Sequence, residues 1–367
     1  MSSSVPRFFP TILSKEALVF VGSYTQGPSE GIYTYSWSSG ALQHLSTVSA
    51  VNPSYLAIEP GRRFLFSVNE VRDHDGKLGG GVSSFEIDKR TGSLTLLSQQ
   101  PSLGGDPCYI TTDRTGRFIL VANYASGTVG VIPVEADGCL DTPLDFAQHI
   151  GSGNHARNLG PHAHCVEVDP TNRYVFVCDA GLDKVMVYRF DSRLGILDPH
   201  PDPWVEARRE AGPRHITFHP TSKYAYVITE SGTTIVAYAY DYNMGTLQEL
   251  QTVPTLPEGF TGRNSCADIH VAPSGKFVYG SNRGHDSIVI YAIDEATGKL
   301  TYVGHELTQG RSPRNFAIDP TGAYLLAANQ STDNIVTFSI DPQTGKLQST
   351  GKIQQVSKPV CIKFMPI

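Results

Sequence analysis

Residues 212–230, GPRHITFHPTSKYAYVITE, contain two short runs of β-branched and aromatic residues on either side of a polar turn. Such runs, bounded by Pro, Thr and Ser, predict two antiparallel strands joined by a tight turn. The hairpin carries Arg214 near its first residue and Glu230 at its last. Because antiparallel strands bring these ends together, we expect the two charges to meet at the open end of the hairpin.

This hairpin is one copy of a repeat. Five further segments align with it without a gap: NPSYLAIEPGRRFLFSVNE (52–70), DPCYITTDRTGRFILVANY (106–124), HAHCVEVDPTNRYVFVCDA (162–180), SCADIHVAPSGKFVYGSNR (265–283) and SPRNFAIDPTGAYLLAANQ (312–330). A seventh copy begins at KPVCIKFMPI (358–367) and stops where the chain ends. Repeats of about 50 residues are typical of propeller blades and other repeat architectures.

Each unit continues into another alternating segment, such as TIVAYAYD (234–241), and closes with a Gly-x-Leu turn. About four short strands per period predict a propeller blade, and the sequence sustains no helical periodicity. The G-H…W-D signature of WD40 repeats and the Gly-Gly signature of kelch repeats are both missing.

The two ends of the chain complement one another. The last unit stops after its first strand, whereas ALVFVGSY (17–24) and GIYTYSW (31–37) supply later strands without a first strand of their own. We therefore predict an all-β, seven-bladed β-propeller with four antiparallel strands per blade, in which the terminal strands share one blade and leave few exposed edges. The propeller is expected to be a single domain, residues 18–367, after a poorly ordered arm, residues 1–17.

Composition excludes several classes of function. The 367 residues are 40% apolar and carry a net charge of −6 without basic runs, which argues against nucleic-acid binding. The absence of a long apolar window or a signal peptide argues against membrane insertion and secretion, so a cytoplasmic location is expected. Six cysteines without a C-x-x-C pair predict reduced thiols. Cys165 and Cys178 are expected to face each other across one hairpin, and whether they are bonded stays open.

Equivalent positions of the units carry the unusual residues. The third position of the seven units holds Ser54, Cys108, His164, Arg214, Ala267, Arg314 and Val360. The last position holds Glu70, Tyr124, Ala180, Glu230, Arg283 and Gln330, with Tyr24 in the seventh unit. Because the first strand of a blade is taken to be innermost, both sets should ring one mouth of the central channel.

Charges beside an apolar core are costly unless they are paired or wet, so this ring predicts a solvated cavity or an anionic ligand at that mouth. The candidate catalytic residues are His164, Arg214, Glu230 and Arg283. The candidate substrate-binding residues are Arg314, His162, Glu70, Asn282 and Asn315. Taken singly, each charge could equally be a solvated strand end or half of a structural ion pair. His162 and His215 are weaker candidates, and no metal or cofactor motif is present.

The motifs GPRHITFHP, PHAHCVEVDP, SNR (281–283), SPRNFAIDP and the repeated D-x-x-TG-x-L closure resemble the lactonase family of seven-bladed propellers. The resemblance begins at about Leu18 and covers almost all of the remaining chain. In the lactonizing members of that family, the site comprises a histidine, two arginines and a glutamate. These residues match His164, Arg214, Glu230 and Arg283 here, whereas Arg314 has no firm counterpart.

The resemblance implies hydrolysis of a sugar-acid lactone, with 6-phosphogluconolactone as the leading substrate. Glu230 or His164 would activate water, Arg214 would stabilise the oxyanion, and Arg283 with Arg314 would grip the anionic group of the substrate. Glu230 should stay ionised beside the arginines, and His164 is expected to titrate near neutrality.

Two alternatives stay open. The first is a lactonizing cycloisomerase that acts on a carboxy-cis,cis-muconate-like diacid, and the second is a non-catalytic binding platform. The expected partner is a small anionic substrate without a cofactor, and the sequence does not decide whether the protein is a monomer or a homo-oligomer.

Overall fold

The computed structural model describes residues 15–74, 77–153 and 160–367, which form seven four-stranded antiparallel sheets and one short hairpin. The chain opens with β1 (Glu16–Ser23), β2 (Gly31–Ser38) and β3 (Ala41–Ser49). The first complete blade contains β4 (Leu56–Ile58), β5 (Phe64–Asn69), β8 (Gly81–Ile87) and β9 (Leu94–Pro101), with the hairpin β6 (Asp73–His74) and β7 (Lys77–Leu78) inserted between β5 and β8. No helix occurs within these described ranges.

Five more blades follow in chain order. They are β10 (Pro107–Thr112), β11 (Phe118–Asn123), β12 (Thr128–Pro133) and β13 (Asp145–Gln148); β14 (Ala163–Val168), β15 (Tyr174–Asp179), β16 (Lys184–Asp191) and β17 (Ile196–Glu206); β18 (Pro213–Phe218), β19 (Tyr224–Thr229), β20 (Thr234–Asp241) and β21 (Thr246–Pro254); β22 (Ser265–Val271), β23 (Phe277–Arg283), β24 (Ser287–Ile293) and β25 (Leu300–Leu307); and β26 (Pro313–Ile318), β27 (Tyr324–Asn329), β28 (Asn334–Ile340) and β29 (Leu347–Gln355).

The terminal strands close the ring. The last strand, β30 (Pro359–Pro366), pairs with β1 from Ala17↔Pro366 to Ser23↔Pro359, which gives the sheet order β3-β2-β1-β30. The first strand of each unit contacts the first strands of both neighbouring units, and β30 completes this ring between β26 and β4. The seven-bladed propeller and its shared blade are confirmed. The expected arm falls mostly outside the described residues, which begin at Lys15, and β1 begins at Glu16.

The polar turn inside each hairpin is organised by an aspartate in three of the units. In the third unit, Asp169 Oδ1 accepts the backbone N–H groups of Arg173 and Tyr174, each at 2.8 Å, while Oδ2 accepts from Thr171 N at 2.8 Å. Asp113 and Asp319 form the same set of bonds in their own turns. The side chain thus satisfies backbone donors that the turn leaves unpaired, which explains the recurrence of Asp in these units.

The Gly-x-Leu turns fasten neighbouring blades together. Gly298 has φ +69°, a left-handed conformation that favours glycine, and a Cβ at this position would collide with the ring of Tyr224 in the preceding blade. The Tyr224 hydroxyl also donates to Ala296 O at 2.7 Å in the same turn. Glycine is therefore required both by the backbone and by the aromatic ring that packs over it.

The strands between the channel and the surface are buried on both faces. All six residues of β19 and of β15 are buried, as predicted from their continuous apolar runs. Cys165 and Cys178 face each other across the hairpin of β14 and β15 as expected, and both are free thiols.

A phenylalanine in the closing blade tests how much stability the burial of a β1 side chain contributes. We expect Phe20→Ala in β1, where the ring is fully buried, to lower the free energy of unfolding by about 3–5 kcal/mol through lost burial and a cavity. Phe146→Ala removes the same side chain from β13, where the ring is 56% exposed, and should change the stability by less than about 0.5 kcal/mol. Urea unfolding of both variants measures the difference. Equal losses of stability would contradict the burial of β1 in the closing blade.

Candidate functional site

A β-bulge recurs near the start of several innermost strands. The regular pairing register shifts at Cys108, His164, Arg214 and Arg314. An extra residue at such a position turns its side chain out of the normal alternation of the strand. The same irregularity recurs at equivalent positions, at one end of the ring of innermost strands, and we call this end the charged mouth.

Glu230 is the centre of the charged mouth. Its Oε1 accepts hydrogen bonds from Arg283 Nη2 at 2.8 Å and from Ser265 Oγ at 3.1 Å. Its Oε2 lies 3.4 Å from Arg214 Nε and 4.0 Å from His164 Nε2. The four candidate catalytic residues are thus brought together around one carboxylate, and the expected meeting of Arg214 with Glu230 is confirmed.

The guanidinium of Arg214 is only 2% exposed, yet some of its donors are unused. Nη1 donates to Ala267 O at 2.5 Å and to His215 Nε2 at 3.1 Å. Nε makes no directed hydrogen bond despite its proximity to Glu230, and no hydrogen bond joins Nη2 to the described part of the chain. A buried donor without an acceptor costs about 1–3 kcal/mol, so this arrangement favours an oxygen-bearing ligand at the charged mouth.

Glu230 and Arg283 are both ionised at neutral pH. Burial raises the pKa of Glu230, but the positive charges of Arg283, Arg214 and Arg314 outweigh this effect and hold it at about 2. The expectation that Glu230 stays ionised is confirmed. Burial and the neighbouring Arg214 lower the pKa of Arg283 to about 10, so this arginine also stays charged.

His164 is a neutral imidazole. Burial first, and then the charges of Arg214 and Arg314, lower its pKa well below the ordinary value of 6.5. The expectation that it titrates near neutrality is therefore wrong, because the sequence does not reveal how deeply the ring is enclosed. Its Nδ1 lies 3.8 Å from Cys108 Sγ. Since Nε2 lies no closer than 4.0 Å to Glu230 Oε2, it has room to bind a water or substrate oxygen.

Arg314 and Glu70 lie on another side of the charged mouth. Arg314 stacks over the ring of Tyr24 at 5.5 Å, and the Tyr24 hydroxyl donates to both oxygens of Glu70, at 3.0 and 2.9 Å. The described part of the chain offers no hydrogen-bond acceptor to the Arg314 guanidinium. Arg314 and Glu70 line a small cavity together with Arg214 and Cys108, and its volume of about 10 Å³ has room for about one water molecule.

The other substrate-binding candidates lie at different depths. His162 stacks on Tyr124 at 4.5 Å and its Nδ1 approaches Tyr124 O, which places it at the edge of the site. Asn282 is buried between strands, where it donates to Thr255 O. Asn315 lies deeper in the channel, where it donates to Asp268. The amide groups of Asn282 and Asn315 are thus used within the protein.

A layer of side chains closes the channel below the charged mouth. Tyr55 and Tyr109 stack at 3.9 Å, the edge of His215 contacts both rings, and His215 bonds to Asp268. We call these four residues the waist. They occupy the fourth position of their units, one residue after the position that holds His164, Arg214 and Arg314. Reading that position across the repeats would have revealed them.

A larger cavity of about 350 Å³ opens on the opposite face, where the innermost strands end. Its lining includes Glu167, His270 and Lys363, together with waist residues. The deeply buried polar groups here are bonded within the protein, for example Tyr109 to Glu167 and Asp268 to His215. We therefore place the candidate site at the charged mouth, where the buried Nε of Arg214 has no hydrogen-bond partner among the described residues, rather than in the larger space.

Comparisons with known proteins agree with this architecture. Residues 18–364 match the family model described as lactonase, 7-bladed beta-propeller. The chain belongs to the lactonase family. It is 39% identical over 304 residues to a 6-phosphogluconolactonase of Bacillus subtilis, covering 82% of this chain and 84% of the relative. It is 36% identical over 313 residues to a 6-phosphogluconolactonase of Formosa agariphila, covering 82% of this chain and 86% of the relative.

A solved structure of a periplasmic gluconolactonase from Pseudomonas aeruginosa superposes on this lactonase with a TM-score of 0.90. The two are 34% identical, and the match covers 95% of this chain and 99% of the other. The cytoplasmic location expected from the sequence stays a prediction. In the described ranges, no helix is long and apolar enough to cross a membrane, and no group of three or more His, Cys, Asp or Glu side chains is arranged to hold a metal ion.

The buried histidines give this lactonase a specific dependence of stability on pH. Burial and Arg214 lower the pKa of His215 to about 4, although Asp268 opposes them, whereas the unfolded chain has the ordinary value of 6.5. The folded state then binds fewer protons between pH 6.5 and 4, so the free energy of unfolding falls as the pH drops through this window. His215 alone changes the free energy of unfolding by on the order of 3 kcal/mol across this window. His164 acts in the same direction.

Urea unfolding at pH 7.5, 6 and 5 measures this slope. We expect His215→Gln to reduce it, because glutamine does not titrate, while His44→Gln on an exposed strand serves as the matched control. The carboxylate of Glu230 loses its stabilising effect only at lower pH, between 4.5 and about 2, which lies below the three pH values of this measurement. An unchanged slope in His215→Gln would contradict the assignment.

Proposed function

We propose that this lactonase hydrolyses an anionic sugar-acid lactone at the charged mouth, with 6-phosphogluconolactone as the first candidate. The observation that carries the proposal is the buried guanidinium of Arg214 with unused donors, close to Arg314, for which the described residues supply no hydrogen-bond acceptor. The names of the Bacillus subtilis and Formosa agariphila relatives support the choice of substrate.

The charge balance of the mouth favours an anion. Three arginines, at positions 214, 283 and 314, surround two carboxylates, Glu230 and Glu70, and His164 is neutral. The cluster therefore carries one excess positive charge in a poorly solvated setting, where an unneutralised charge is costly. A phosphate or carboxylate on the substrate would neutralise it.

The three arginines have different commitments, which suggests different roles. Arg283 uses Nη2 on Glu230, Ser265 Oγ and Cys266 O, and Nε on Ser265 O. In our proposal it holds Glu230 in place, and Arg314 becomes the anchor for the substrate anion. Arg214 directs its unused donors at the lactone carbonyl, where they would stabilise the developing oxyanion.

Hydrolysis then follows the ordinary course of ester cleavage. A water bound between Glu230 Oε2 and His164 Nε2 attacks the lactone carbonyl carbon as one of its protons passes to His164. The tetrahedral intermediate places its oxyanion at Arg214. Its collapse breaks the bond between the carbonyl carbon and the ring oxygen, and the ring oxygen takes the proton from His164. The product is the open-chain hydroxy acid.

The substrate anion would also tune the base. Arg314 is one of the charges that lower the pKa of His164, so an anion bound to Arg314 weakens that effect and makes the imidazole more basic. Anionic lactones would therefore gain in turnover as well as in binding, whereas a neutral lactone would leave His164 a weak base.

The candidate roles are tested by substitution. We expect Glu230→Gln and His164→Ala each to lower kcat for 6-phosphogluconolactone by about 10²-fold or more, because Glu230 binds the attacking water and His164 takes its proton. Acid release from fresh lactone in a pH-stat measures the rate. Glu167→Gln, on the innermost strand β14 but facing the opposite cavity, is the matched control and should keep its activity.

Wild-type rates in both variants would remove the assignment. Loss of the ultraviolet absorbance of a carboxymuconate, without acid release from any lactone, would instead support the lactonizing alternative.

The pH dependence of kcat/KM follows from the low pKa of His164. The ring must be neutral to accept a proton, so activity should fall on the acid side only at a pH below 6.5. Arg314→Gln removes one of the charges responsible and should move this inflection upward towards 6.5. Initial rates measured between pH 4 and 8 give both values. An inflection at or above 6.5 in the wild type, or no movement in the variant, would contradict the role of His164.

A further inference from the structure

A chain of hydrogen bonds runs from the charged mouth through the waist. Arg214 Nη1 donates to His215 Nε2 at 3.1 Å, and His215 Nδ1 lies 2.8 Å from Asp268 Oδ1. Asp268 Oδ2 in turn lies 2.9 Å from His270 Nε2, whose side chain is 32% exposed on the opposite cavity. The charged mouth and the opposite face are thus linked by consecutive polar contacts.

The tautomer of His215 is fixed by its two neighbours. The ring is buried and neutral at pH 7, so it carries a single N–H group. Because an arginine can only donate, Nε2 must be the acceptor for Arg214, and the proton must lie on Nδ1 and point to Asp268. The imidazole therefore presents one lone pair to Arg214 at a defined point.

Asp268 is held in place by several hydrogen bonds. It is 1% exposed, and its two oxygens receive bonds from His215 Nδ1, Ile269 N, His270 Nε2, Asn315 Nδ2 and Phe316 N. These donors come from three blades. Their hydrogen bonds to the carboxylate offset the cost of burying its charge. Asn315 thus acts on this carboxylate rather than on a ligand in the charged mouth.

We infer that His215 and Asp268 are positioning residues for Arg214. They hold the Nη1 side of the guanidinium, and this leaves the Nε and Nη2 sides facing Glu230 and the charged mouth. The catalytic consequence rests on the proposed lactone hydrolysis. An arginine that is displaced by about 1 Å from a developing oxyanion can lose on the order of 10²-fold in rate, which gives the waist a role in turnover.

The surroundings of His215 support a positioning role over simple packing. The ring lies among Tyr55 at 5.9 Å, Tyr109 at 5.1 Å and His164 at 5.3 Å. If this position served packing alone, an apolar side chain would fill the aromatic enclosure. No buried carboxylate would then be needed beside it. The polar pair instead supplies Arg214 Nη1 with a second acceptor at a fixed point, in addition to Ala267 O at 2.5 Å.

Two substitutions of His215 separate positioning from packing. His215→Gln keeps an acceptor near the place of Nε2, whereas His215→Asn keeps a donor near the place of Nδ1 and removes the acceptor for Arg214. We expect His215→Asn to lower kcat for 6-phosphogluconolactone by about 10- to 100-fold with a smaller change in KM, and His215→Gln to stay close to the wild type. A merely structural role predicts the opposite order, because Asn preserves the bond to Asp268.

Thermal unfolding of both variants supplies the second readout. The inference is supported if the order of kcat differs from the order of Tm, and it is overturned if kcat follows Tm or if His215→Asn turns over like the wild type. The control is His200→Asn, which alters another buried histidine, on the outermost strand β17, where Nε2 lies 2.7 Å from Met244 O. It should lower Tm and leave kcat unchanged.

Arg214→Ala distinguishes the two proposals. If it leaves lactone hydrolysis unchanged, the proposed function of the charged mouth fails and the positioning role is overturned with it. If it lowers kcat while His215→Asn does not, only the positioning role of the waist is overturned.

Discussion

The pairing of β30 with β1 is the contact on which every distance in the charged mouth depends. It joins the two ends of the chain into one sheet and so fixes the circumference of the ring. Because the ring is closed, equivalent positions of units that lie about 50 residues apart in the chain face one axis. Arg214 and Arg283 thereby reach the same carboxylate from different blades. The site is a property of the closed ring, and no single blade contains it.

Closure brings together charges that the apolar blades cannot solvate, and their balance decides the chemistry. Glu230 stays ionised because arginines offset its burial, whereas His164 stays neutral because the same arginines add to the effect of burial. One electrostatic field therefore favours the deprotonated form of two groups 4.0 Å apart, and this leaves Glu230 charged and His164 neutral. An anion bound at the charged mouth would weaken this field. It would therefore change the basicity of His164 as well as occupy the site.

The repeat allowed the fold and much of the candidate site to be predicted from the sequence. The hairpin signals, the period and the complementary ends are local features, so they indicated the blades and their closure. The bulge at His164 and Arg214 is not visible in residue types, because it depends on how the strands pair. The neutral state of His164 and the internal bonds of Arg283 were missed for a related reason, since burial and competing partners exist only in the folded ring.

The waist separates two ends of the channel that differ in polar satisfaction as well as in volume. On the far face, Asp268 has five hydrogen-bond donors and Tyr109 donates to Glu167, so water can solvate what is left exposed. At the charged mouth, Arg214 is almost fully buried and keeps unused donors. A buried donor without a hydrogen-bond partner among the described residues, rather than cavity volume, therefore distinguishes the charged mouth from the far face. The waist contributes to this difference by occupying one side of Arg214, so that the remaining donors can be satisfied only from the charged mouth.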